Sequence, residues 1–121
     1  MNAINWFEIS VVNLDRATRF YGEVLGTPLL RHVFGGSPIA VFPYERMGGV
    51  GGCLTSHDSR RPSEDGPALF LAVKDLDASL ARLKEAGGEL VSPRSEIGEH
   101  GFIAMIRDTE GNVVGLHEPR P

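Results

Sequence analysis

The feature that most constrains this chain is an internal repeat. Residues 4–57 and 67–118 carry the same succession of patterns at a constant offset of 62, so that Asn13-Leu14-Asp15 falls on Asp75-Leu76-Asp77, Gly26 on Gly88 and Leu54 on Leu116. Each copy reads as strand, helix, then three strands. In the first, "INWFEISVV" (4–12) alternates Phe7, Ile9 and Val11 with Trp6, Glu8 and Ser10, the period of a strand with two different faces. Asn13 is a plausible N-cap, and Leu14, Ala17, Phe20, Tyr21, Val24 and Leu25 recur at helical spacing up to the stop at Gly26. Residues 29–34, 39–44 and 50–57 read as strands separated by Gly35-Gly36 and "MGG". In the second copy "ALFLAV" (68–73) is a strand. Asp75 caps a helix that ends at Gly87-Gly88, and "ELVSPRSEI", "HGFIAMIRD" and "NVVGLHE" follow as strands.

Between the copies, residues 58–66 are polar and aperiodic and read as a linker. The whole, 1–121, is expected to form one domain of α+β class, two βαβββ units with the sheets curved around a central cavity and the helices outside. Neither unit can hide its sheet alone, and the concave space between sheets is the natural place for a small ligand.

Charge and cysteine content narrow the function classes. Net charge is −4 with both signs dispersed, which leaves no basic stripe for nucleic acid and no polybasic membrane anchor. No apolar run reaches the length of a bilayer span, and "MNAINWFEIS" lacks signal-peptide order, so a cytoplasmic location is expected. One cysteine, Cys53, excludes an internal disulfide and a cysteine-based zinc knuckle.

The carriers "WFEISVVNLDRATRFYGEVLG", "VKDLDASLARLKEAGGEL" and "RDTEGNVVGLHEP", with the repeat, resemble the vicinal oxygen chelate superfamily of glyoxalases, bleomycin-resistance proteins and extradiol dioxygenases, and its glyoxalase-like branch in particular. The resemblance implies a divalent-metal site at four positions, which fall here on Trp6, Cys53, Ala68 and Gly115. Indole, alanine and glycine offer no side-chain ligand, and one thiol is not a set. The expectation is therefore no metal and no other cofactor. It also explains a glycine in the middle of a strand: Gly115 stands where a metal-binding carboxylate stands in catalytic relatives, and should leave room above it that an added side chain could fill. Relatives of this length often pair two chains, so a homodimer is expected, with exchange of a half between chains an option.

If Trp6 points inward, alternation brings Glu8 inward with it, Thr55 and His57 share the face of Cys53, and Phe70 and His117 face the same space. Trp6, Glu8, Cys53, Phe70, Gly115 and His117 are thus the candidate ligand-binding residues. Four of them have a plainer reading as well: core filling for Trp6, an arginine partner across the sheet for Glu8, an inert thiol for Cys53, a satisfied surface histidine for His117. "GGVGG" (48–52) leads into a strand and is read as a turn, not a phosphate loop. "SRR" (59–61) is read as solvated linker, though it could meet an anion, and Glu99-His100 as solvent-facing. Three functions compete: a metal-free small-molecule binder; a metal-independent lyase or isomerase using Glu8 and His117 as base and acid; and an enzyme whose metal is held by Glu8, His117 and water.

Overall fold

The computed structural model describes residues 2–56 and 59–121; His57, placed above beside Cys53 and Thr55, lies outside the described residues. The element order is β1 (Trp6–Ser10), α1 (Leu14–Leu25), β2 (Leu30–Phe34), β3 (Ser37–Val41), β4 (Gly51–Thr55), β5 (Phe70–Ala72), α2 (Leu76–Ala86), β6 (Glu89–Glu96), β7 (Phe102–Arg107) and β8 (Val113–Glu118). Both halves build one sheet with the same topology, β1-β4-β3-β2 and β5-β8-β7-β6. The offset holds to the register: Glu8 pairs with Cys53 in the parallel β1·β4 ladder, and Phe70 with Gly115 in β5·β8. Among the described residues, no helix is long and apolar enough to cross a membrane.

The helices begin where short polar side chains replace missing backbone partners. Asn13 accepts from the Arg16 amide and Asp75 from the Ala78 amide. Both helices close on a left-handed glycine, Gly26 and Gly87, a conformation that other residues adopt only with strain. Their apolar stripes pack against each other, and with Ile9, Val11, Ala40, Leu54, Leu71, Ala104, Ile106 and Leu116 they form one continuous core that spans both halves.

This packing corrects one expectation. The two βαβββ units are present, but the sheets do not close over a central cavity within the chain. The helices sit together on the buried side of both sheets, while the opposite faces stay open. Trp6, Glu8, Phe70 and Ala72 are all exposed on those faces. The reason is the sequence of α1 and α2 themselves. The buried residues of α1 (Leu14, Ala17, Phe20, Tyr21, Val24) and of α2 (Leu76, Ser79, Leu83) face a shared interior, where the helices contact each other as well as the sheets.

The halves are also tied by the segment 108–112. Asp108, buried, accepts from the Tyr21 hydroxyl at 2.6 Å, from the Glu110 and Asn112 amides and from Asn112 Nδ2. Asn112 donates to the Ser10 carbonyl, and its Oδ1 accepts from the Ser63 amide. Glu110 accepts from the Val12 and Asn13 amides at 2.8 and 2.7 Å and from the Arg16 guanidinium at 2.7 Å, so a carboxylate of the second half caps the helix of the first.

Burial pushes the Glu110 carboxyl up, but its bonds to Arg16, the Asn13 amide, Thr109 and the Val12 amide outweigh that and hold it down at about 2, against an ordinary 4.5. Folding therefore favours the ionised form. The stabilisation is complete above pH 4.5 and drains away as pH falls toward 2. Arg16 is half-exposed, so screening by water leaves roughly 1–2 kcal/mol. The parent melting temperature is expected to fall faster than that of Glu110→Gln over this range. Parallel slopes in thermal melts would show that Glu110 contributes nothing there.

Candidate functional site

The open face of the first sheet gathers Trp6, Glu8 and Cys53. Trp6 and Glu8 lie two residues apart on β1, and the Trp6 indole N–H donates to Glu8 Oε2 at 3.4 Å. Trp6 stands over Gly51, its partner on β4, where an added Cβ would meet the indole at 2.9 Å and the Tyr44 ring at 3.1 Å. The two rings are 6.2 Å apart and nearly perpendicular, at 82°. Tyr44 is a residue that alternation alone missed. The pattern of residues 39–44 predicts strand to its end, whereas β3 stops at Val41 and the irregular segment after it carries Tyr44 over Gly51. The signal that could have found it is the glycine itself, since a missing side chain beside an aromatic marks where a second ring can approach.

Cys53 lies in register with Glu8 and is 1% exposed. Burial, with the Glu8 carboxylate adding to it, pushes its thiol up to about 11. It is a neutral, inert side chain at physiological pH. Glu8 also has Arg60 Nη1 at 3.9 Å. The arginine that meets Glu8 thus comes from the linker and not from across the sheet. Arg60, Arg61, Ser10 and Val113 join Glu8 around a hollow of about 340 Å³.

The second sheet presents Phe70, Gly115 and His117. The room expected above Gly115 is occupied: a Cβ there would lie 2.3 Å from the Phe70 ring, which covers the glycine from the neighbouring strand. Gly115 is in the strand because an aromatic ring rests on its backbone. His117 sits beside Ala72, and its Nε2 lies 2.6 Å from the His100 carbonyl. His100 belongs to a 3-10 turn, Gly98–His100, where strand had been expected to begin. Glu8 and His117 are therefore on different sheets, each with other partners, and the chain does not bring them together as an acid–base pair.

The implied metal positions do not form a donor set. Trp6 and Cys53 stand on one sheet, and Gly115 lies under Phe70 on the other. Among the described residues, no group of three or more His, Cys, Asp or Glu side chains converges to hold a metal. A hollow of about 930 Å³ runs along the seam where Phe7 and Phe42 face Leu69, Leu71, Val73 and Arg82. Its walls are mainly apolar. The Arg82 guanidinium is committed to the Glu23 and Val24 carbonyls at the end of α1, while Thr27, Lys74 and Asp75 add polar groups to the wall. At residues 48–52, Gly49 donates to the Glu45 carbonyl, as the turn reading of that glycine run requires.

Comparison with known proteins gives a consistent picture. The model of the Glyoxalase/Bleomycin resistance protein/Dioxygenase superfamily matches residues 3–116. The "Putative glyoxylase CFP32" of Mycobacterium bovis is 28% identical over 117 residues, 96% of this chain, and the chain spans 44% of that protein's length. The metallothiol transferase FosB of Shouchella clausii is 28% identical over 126 residues, covering 97% of this chain and 80% of FosB. Among solved structures, TnmS3, an antibiotic binding protein from Streptomyces sp. CB03234, superposes with a TM-score of 0.72 at 26% identity, covering 99% of this chain and 98% of TnmS3.

Proposed function

Since the chain belongs to the Glyoxalase/Bleomycin resistance protein/Dioxygenase superfamily, we propose that it is a metal-free binding protein. It holds a small, partly apolar molecule against the open faces of its sheets, and it acts as a homodimer in which a second copy closes over those faces. The observation that carries this reading is the pair of half-exposed rings, Trp6 at 42% and Phe70 at 44%, each seated on a strand glycine of a sheet face that the chain leaves uncovered. Large aromatic surfaces held in water, with a few polar groups beside them, suit a small-molecule contact.

The metal-free reading is supported by the donor chemistry: among the described residues no three His, Cys, Asp or Glu side chains converge. The second copy is supported by the edges. β2 and β6 are exposed along their whole length, and Leu30, Val33 and Phe34 stand out from the first hairpin. TnmS3 lends support to binding without turnover, since it is named for binding an antibiotic. Catalysis by Glu8 and His117 is the weaker reading because His117 is held by the His100 carbonyl on another sheet. A metal held by the same two residues and water would need them together, and fails for the same reason.

The test combines mass, metal and binding. Light scattering at high micromolar concentration is expected to give twice the chain mass. Elemental analysis after metal-free purification should find no stoichiometric zinc, nickel or iron. Small neutral aromatics should raise the melting temperature of the parent and leave that of the Trp6→Ala, Phe70→Ala double variant unmoved. A monomer mass, a retained metal, or a thermal shift indifferent to both rings would each overturn the corresponding part.

A further inference from the structure

The two open faces differ in one respect that bears on the ligand. Position by position, the offset of 62 sets Trp6 against Ala68 and Glu8 against Phe70. The second face therefore carries no counterpart of the Glu8 carboxylate, and its strands present Phe70, Ile103 and Met105 around Gly115 and His117. On the first face the carboxylate stands beside the Trp6 indole, which in turn meets the Tyr44 ring. Trp6 and Tyr44, each 42% exposed, make two nearly perpendicular walls over Gly51. Glu8, with 40% of its side chain exposed, accepts from the indole N–H at 3.4 Å. Ring faces attract cations through their quadrupole, and an adjacent carboxylate adds a full charge of the same preference. The cation now nearest Glu8 is the chain's own Arg60, at the outer limit of an ion pair and 65% exposed, an arrangement that holds weakly and exchanges readily.

We propose that Trp6, Tyr44 and Glu8 form a recognition site for an organic ammonium group, and that the ligand is a protonated or quaternary amine carried on an apolar body. This rests on the reading that the open faces bind a small molecule, and names its class. The amine lies against the indole and the Tyr44 ring with Glu8 at the indole edge, displacing Arg60, while the apolar body spreads over the adjoining sheet face. A carboxylate-bearing ligand is turned away by Glu8.

Trp6 is the sole tryptophan of the chain, so its fluorescence reports the site directly. The experiment titrates the full chain at low salt with benzyltrimethylammonium, benzyl alcohol and phenylacetate, with equilibrium dialysis as the second measure of each constant. Benzyltrimethylammonium is expected to bind saturably and about tenfold more tightly than benzyl alcohol, and phenylacetate more weakly than either. Glu8→Gln should weaken the ammonium about tenfold and leave the alcohol unchanged. Arg60→Ala should tighten the ammonium by a few-fold, the opposite direction. Equal affinity for ammonium and alcohol, or an ammonium constant unmoved by Glu8→Gln, would overturn the cation preference while leaving small-molecule binding in place. No saturable response to any of the three probes would overturn both.

Discussion

Asp108→Ala is expected to lower the melting temperature by more than about 10 °C, through a loss of roughly 3–4 kcal/mol. Asp108 is 4% exposed and accepts bonds from the Tyr21 hydroxyl, the Glu110 and Asn112 amides and Asn112 Nδ2. Alanine removes all four acceptor contacts. The Tyr21 hydroxyl, completely buried between α1 and the second half, is then left without a partner, and each orphaned buried donor costs about 1–3 kcal/mol. The loop that aims Glu110 at the start of α1 loosens at the same time. Burial, with Asp108 beside it, already pushes the Tyr21 phenol well up, so the hydroxyl has no ionised form to fall back on. Tyr21→Phe in the Asp108→Ala background separates these effects. It should restore part of the loss, since it removes the orphan, whereas Tyr21→Phe alone should cost about 1 kcal/mol. An Asp108→Ala protein that melts like the parent would show that the halves are not held by this network.

The repeat was legible because it is written in several independent ways at once. The N-caps Asn13 and Asp75, the left-handed glycines at 26 and 87, and the alternation of Phe7 and Ile9 with Trp6 and Glu8 are local features that need no knowledge of the rest. What could not be read was the placement of the halves. Whether two amphipathic helices cover the outside of a closed pair of sheets or pack on each other depends on side chains more than fifty residues apart, such as Arg82 meeting the Glu23 carbonyl. Strand ends were also displaced. Residues 39–44 are apolar enough to continue as strand, yet Pro43 has no amide to donate, and pairing with β4 ends after the Phe42 amide bonds the Gly52 carbonyl. The candidate residues were placed on the correct faces by alternation, but their grouping assumed closure. Trp6, Glu8 and Cys53 come together, as do Phe70, Gly115 and His117, and the chain leaves the two groups apart. Glu110 and Asn112 were visible only as part of a motif. Their work, tying one half to the other, is long-range and leaves no periodic trace.

The glycines beneath the aromatic rings give the second large effect, and it should differ sharply between two sites with the same local geometry. A Cβ at Gly52 would lie 2.3 Å from the Phe7 ring, and one at Gly115 would lie 2.3 Å from the Phe70 ring. Neither distance is tolerable, so in each variant the ring must move. Phe7 points to the helix side, packs against the core and stacks at 5.4 Å on Phe42, which is itself buried. Displacing it gives up its contacts with Phe42 and the core, even though the ring also borders the seam hollow, and Gly52→Ala should cost about 1–3 kcal/mol. Phe70 is 44% exposed on an open face and can rotate into solvent, so Gly115→Ala should cost under about 1 kcal/mol, partly offset by removing a strand glycine. Binding should show the reverse order. Moving Phe70 takes away one wall of the proposed site, so Gly115→Ala should weaken a bound aromatic although the protein stays folded. Gly52→Ala, where enough folded protein survives, should bind it as the parent does. Urea unfolding of both variants beside titration with benzyl alcohol makes the comparison. Equal losses of stability at the two positions would mean that Phe70 is as tightly held as Phe7. The open face of the second sheet would then be a packed surface rather than a place for a ligand.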